Sequence, residues 1–88
     1  MNKKSFIRKV RRWSKKIGVS PGKIFFKDMK KRWAFIKGKD IYFNPLLFSK
    51  DKNFQRAVII HELIHMNVPN HGKLFKTLFL SYCPKNKL

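Results

Sequence analysis

The chain reads as an α+β protein, because helical periodicity at both ends flanks a central run of short aromatic and β-branched segments. Phe6, Val10, Trp13 and Ile17 recur at spacings of four, three and four. Two strand-like runs meet across the short loop Lys37-Gly38-Lys39, a hairpin signal. The helical period then returns in Phe54, Val58, His61 and His65. The expected order is an N-terminal helix, a small antiparallel sheet of two to three strands with a hairpin, and two helices. Eighty-eight residues leave room for one domain, 1–88.

Taken in order, the first helix should run from Lys4 to Ile17, with Met1 and Asn2 fraying, and stop at Gly18. Ser20-Pro21-Gly22 makes a turn. Lys23 to Met29, Arg32 to Ile36 and Asp40 to Phe43 read as strands, the last ended by Asn44-Pro45 because proline cannot donate to a ladder. The second helix is expected from Asp51, which suits its positive end, to Asn67. Pro69 disfavours helical geometry at Val68. A last helix should open after Asn70, an N-cap type, pass through Leu74, Phe75, Leu78 and Phe79 towards Tyr82, and close at Pro84. Trp13, Trp33 and the phenylalanines are read as core and not as base-stacking platforms.

Composition excludes several classes. A hydrophobic fraction of 43%, with nine Phe and two Trp, is too rich for a disordered basic tail. One cysteine, Cys83, allows no internal disulfide and fits a reducing compartment. No apolar run approaches the roughly 18 residues of a membrane span. Arg8, Lys9, Arg11 and Arg12 interrupt any signal-peptide core, so no membrane partner and a cytoplasmic location are expected. Lys and Arg number 22 against four acids, a formal charge of +18. Such a field attracts DNA or RNA, and the helix bearing Arg8, Lys9, Arg11, Arg12, Lys15 and Lys16 is the candidate surface. Charge speaks to association, not to chemistry, and nothing here specifies an oligomeric state.

The chemistry lies in His61-Glu62-Leu63-Ile64-His65, an HExxH motif inside the second helix. Four residues advance a helix by about 400°, so both imidazoles point the same way one turn apart. Their nitrogens can reach one tetrahedral ion, while Glu62 sits one step round, beside a water in the open position. A catalytic zinc usually takes a third protein ligand. Glu62 is the sole glutamate, which leaves His71, Cys83, Asp28, Asp40 and Asp51. His71, six positions after His65 and beyond Pro69, is favoured because a chain turning there can fold it back over the other two. All three histidines and the glutamate then fall in one eleven-residue window.

The stretch from Ala57 to His65, followed by His71, resembles the YgjP-like metal-dependent hydrolases, relatives of the SprT-like and minimal gluzincin proteases. The similarity takes in Asn70-His71 and Phe75, and upstream Arg32-Trp33, Lys37-Gly38 and Ile41-Tyr42-Phe43-Asn44. It thus covers roughly Ile24 to Phe79. The resemblance implies one zinc ion held by His61, His65 and His71, with Glu62 as general base. Where the family commonly has Gly-Ser-Cys after the Arg-Trp pair, this chain has Ala34-Phe35-Ile36 and a shorter hairpin.

The expected function is a zinc-dependent metallopeptidase-like hydrolase acting on a polypeptide. Glu62 takes a proton from the zinc-bound water and later passes it to the leaving amine. Tyr42, Tyr82, Arg32 and Asn70 are candidate oxyanion or substrate contacts. The competing readings are a basic nucleic-acid-binding module with a structural zinc closed by Cys83, and a catalytically inactive zinc-binding scaffold.

Overall fold

The computed structural model describes residues 2–83. Helix α1 spans Lys3–Ile17. It begins where the Asn2 side chain accepts from the Ser5 N–H at 2.9 Å. Gly18 ends it in the left-handed region at φ 85°, its N–H reaching the Ser14 carbonyl. Phe6 and Val10 are fully buried, and Trp13 and Ile17 pack beside them. On another face, the Arg11 guanidinium donates to the Pro21 and Gly22 carbonyls at 2.9 and 2.6 Å, tying the helix to the turn before the sheet.

The sheet is mixed, which corrects the expected antiparallel arrangement while leaving the α+β class intact. Strands β1 (Ile24–Phe26), β2 (Ala34–Lys37) and β3 (Asp40–Phe43) lie in the order β1-β3-β2. β2 and β3 form the expected hairpin, turning at Gly38 with φ 63°. β3 then inserts between β2 and β1 and so runs parallel to β1, with Phe25 opposite Tyr42. The connection from 27 to 33 crosses the end of the sheet to make this possible. Asn44 holds it there, its amide donating to the Met29 and Arg32 carbonyls at 3.0 and 3.1 Å. β1 is accordingly shorter than the expected Lys23–Met29: the Lys27 N–H still pairs with Phe43, and the chain then departs.

Alternation along β3 places Ile41 and Phe43 in the core and Tyr42 on the opposite face. There Tyr42 stacks between Phe25 and Phe35, with ring centroids 4.9 and 4.7 Å away. Phe25 is 37% exposed, so the expectation that the phenylalanines serve as core fails for this pair. It holds for Phe6 and Phe43, and Trp13 and Trp33 pack against the same cluster.

A 3-10 helix over Pro45–Ser49, not anticipated from the sequence, buries Leu47. Helix α2 covers Lys52–His65, with Asp51 accepting from the Phe54 N–H at 2.7 Å as its cap. It is the central element. On one side Val58, Ile59 and Leu63 join Phe6, Val10, Ile41, Phe43 and Leu47. On another, Ala57, Ile60 and Ile64 meet Phe75, Phe79 and Cys83 from helix α3, Lys73–Tyr82. Gln55 is buried within this packing because its amide donates to the Leu47 and Lys50 carbonyls. The cap of α3 is Gly72 and not Asn70, since the chain turns at Met66 and Asn67 and bends again at Asn70 and Gly72 before the helix begins. Pro84, expected to close α3, and Met1 lie outside the described residues.

Candidate metal centre

Packing α2 on two apolar clusters leaves one narrow strip of it open, and His61, Glu62 and His65 lie there, each half-buried. The turn after α2 returns His71 to that strip. The three Nε2 atoms then form a small triangle: His61 to His65 at 3.1 Å, His65 to His71 at 2.7 Å, and His71 to His61 at 3.2 Å. His65 directs Nδ1 at the Val68 carbonyl, 3.2 Å away, which places its proton there and leaves the Nε2 lone pair facing inwards. Three converging imidazole nitrogens suit a cation better than they suit one another. Nitrogen ligands at 2.0–2.1 Å from a tetrahedral ion stand about 3.3 Å apart, close to the spacing found. The residues therefore fit one metal ion.

Among the described residues these three histidines alone group with metal-binding spacing. Cys83, Asp28, Asp40 and Asp51 lie outside the group. Asp51 caps α2, Asp40 accepts from the Lys23 N–H, and Cys83 is buried in the α2–α3 cluster. Among the described residues no fourth side chain of these types closes the group.

Phe75 is the floor beneath the histidines. Its ring centroid stands 5.0, 4.7 and 4.8 Å from those of His61, His65 and His71. It lies in the first turn of α3, four residues after His71, and the family resemblance had already taken it in. Burial holds His61 neutral, pushing its pKa down to about 4, with His65 and His71 adding like-charge repulsion. Burial also lowers His65, partly opposed by the Val68 carbonyl. Glu62 moves the other way, up to about 7, because burial disfavours its carboxylate more than Arg32 favours it. The 3.8 Å approach of His61 Nε2 to Glu62 Oε2 is consequently no ion pair near neutrality.

A cleft opens beside Glu62 and His61, lined by Lys31, Arg32, Trp33, Ala34 and Val58. Arg32 is thus brought to the site. Tyr42 is not: it faces the far side of the sheet. Tyr82 is not either, since its ring meets the edge of Trp13 and its hydroxyl approaches the Lys16 carbonyl at 3.5 Å. Asn70 is exposed in the turn before His71. Lys31, Trp33 and Ala34 were missed as lining residues, because nothing local ties the connection after β1 and the start of β2 to α2. No helix among the described residues is long and apolar enough to cross a membrane.

A family model described as YgjP-like, metallopeptidase domain, matches residues 2–88. Among solved structures, the chain is similar to the metallopeptidase zymogen jannalysin of Methanocaldococcus jannaschii. The two share 28% identity and superpose with a TM-score of 0.71, over 98% of this chain and 86% of that one. No curated protein sequence matches significantly.

Proposed function

The chain belongs to the YgjP-like metallopeptidase family, and from that premise we propose that it is a zinc-dependent peptidase with His61, His65 and His71 as ligands and Glu62 as its general base. Membership makes it a metallopeptidase-like hydrolase with a metal ion and a polypeptide substrate. The observation that supports the finer reading is the open triangle of Nε2 atoms with a buried carboxyl beside it. An all-imidazole donor set suits zinc, and three protein ligands with a free position are the pattern of catalytic and not structural zinc.

Bound there, the ion supplies a Lewis acid that acidifies water and polarises a carbonyl. Glu62 receives the proton of the attacking water at its carboxylate and returns it to the leaving amine. Without the ion, burial raises its pKa to about 7, and the positive charge of a bound ion would favour the carboxylate form that accepts the proton. Burial supplies that shift, and Arg32 keeps it from rising further. Phe75 fixes the imidazole rings by packing beneath them, and His65 is oriented by the Val68 carbonyl. Arg32, on the cleft wall, is the remaining candidate for a contact to the substrate carbonyl.

The test is cleavage of an unstructured polypeptide by the zinc-loaded chain and by Glu62→Gln. The variant should keep stoichiometric zinc and lose about 10²- to 10⁴-fold in rate. Equal cleavage by the variant sinks the assignment of Glu62. A zinc-loaded chain that cleaves nothing sinks the peptidase reading.

A further inference from the structure

The outer face of the sheet is a second surface with a chemistry of its own. Phe25, Tyr42 and Phe35, one ring from each strand, stack across all three strands at centroid distances of 4.9 and 4.7 Å and interplanar angles of 25° and 7°. None of the three packs into either core cluster. The two-residue period of a strand puts Lys23 and Lys27 on the same face as Phe25, and Lys37 beside Phe35. At the β2 end the face continues into a groove lined by Phe35 with Lys27, Lys30, Lys31 and Arg32. A short aromatic stack with its two outer faces free, edged mostly by cations and with Asp40 at one end of the same face, matches single-stranded nucleic acid, whose bases stack and whose phosphates are anionic. We propose that this face binds single-stranded DNA or RNA, with bases extending the Phe25-Tyr42-Phe35 stack and phosphates meeting the surrounding lysines.

Cross-strand aromatic pairs also stabilise sheets, but that role alone does not call for lysines in excess of the one carboxylate, Asp40, on this face. A second copy of the chain is disfavoured as the occupant, because two bodies of formal charge +18 repel. The basic face of α1 is a poorer site. Arg11 is engaged with the turn before the sheet, and the one aromatic there, Trp13, is half-buried with Lys16 over its ring at 4.8 Å. The inference stands on the sheet face and does not require the peptidase reading, although its groove shares Lys31 and Arg32 with the cleft beside Glu62.

The experiment is fluorescence anisotropy with a labelled twelve-nucleotide oligothymidylate, repeated with a duplex of equal length and with phosphatidylserine vesicles, over a range of salt. The chain should prefer the single strand to the duplex. Phe25→Leu/Phe35→Leu, which keeps apolar bulk, should weaken binding roughly tenfold with the salt slope unchanged. Lys27→Gln/Lys37→Gln should instead reduce the slope of log K against log salt by about 1.4. Arg8→Gln/Arg12→Gln on α1, matched in charge, should change either quantity less. Should the double Phe variant fail to fold, Phe25→Leu alone serves, since Phe25 is already 37% exposed. Undiminished binding by a folded Phe variant would overturn the proposal. So would equal affinity for duplex or vesicles, or equal losses in the lysine and α1 variants.

Discussion

Two half-buried ionisable groups side by side in the sequence carry opposite consequences for stability. In chelator-treated protein His61 has its pKa lowered from 6.5 to about 4. Between those values the unfolded chain takes up a proton that the folded one refuses. Stability from this group is therefore complete above pH 6.5 and lost as pH falls towards 4. Glu62 is raised from 4.5 to about 7, so its contribution is present below pH 4.5 and lost as pH rises through 7. From pH 4.5 to 6.5 the two oppose each other. Glu62→Gln removes one of them, and the metal-free variant should gain thermal stability with rising pH across that window more steeply than metal-free wild type. Thermal midpoints at closely spaced pH values test this, and a steeper wild type would show the burial argument to be wrong for one of the pair. Their adjacency in sequence marks the chemistry, whereas their protonation follows from what α2 packs against.

The elements differ in how much each revealed of itself before folding. α1 and α2 were legible because a 3.6-residue period and a cap are local properties: Phe6, Val10 and Trp13 mark one helix, and Asp51 starts the other. The same window displayed His61, Glu62 and His65, and the proline two positions before His71 foretold the turn. Strand pairing is not local. The runs holding Phe25, Phe35 and Tyr42 could be seen, but not that β3 inserts beside β1 in parallel, nor that the three rings would share the solvent face. A one-residue change of register would have reversed that outcome. The side chain that makes the pairing possible is Asn44, which bridges the connection after β1 to the start of the 3-10 helix. Its amide serves the Met29 and Arg32 carbonyls, and its oxygen accepts from the Leu46 N–H at 3.0 Å. Asn44→Ala should therefore destabilise the protein by about 1–3 kcal/mol through unpaired buried groups. Chemical denaturation would read this. A loss within about 0.5 kcal/mol would mean that water replaces all three bonds.

At the scale of the whole molecule, a small domain of formal charge +18 holds itself together against its own repulsion with two modest apolar clusters. α3 belongs only to the second of these, and it follows a seven-residue turn, 66–72, that returns His71 to within 2.7 Å of His65. A bound ion would join that turn to α2 above Phe75 and so act as a staple for α3 as well as a reagent. Ligand-linked folding sets the scale: metal at a hundredfold excess over its Kd contributes about 2.7 kcal/mol, and each kcal/mol moves the midpoint of a domain this size by about 4–8 °C. Chelation should then lower the thermal midpoint by roughly 10 °C or more. His71 is exposed, so His71→Ala removes no core and should leave the chelated midpoint nearly unchanged while abolishing most of the response to metal. Scanning both proteins with and without chelator at fixed protein and zinc concentrations separates the contributions. If His71→Ala responded to chelation as wild type does, the third imidazole would not be a ligand, and α3 would owe its place to Phe75 and Phe79 alone.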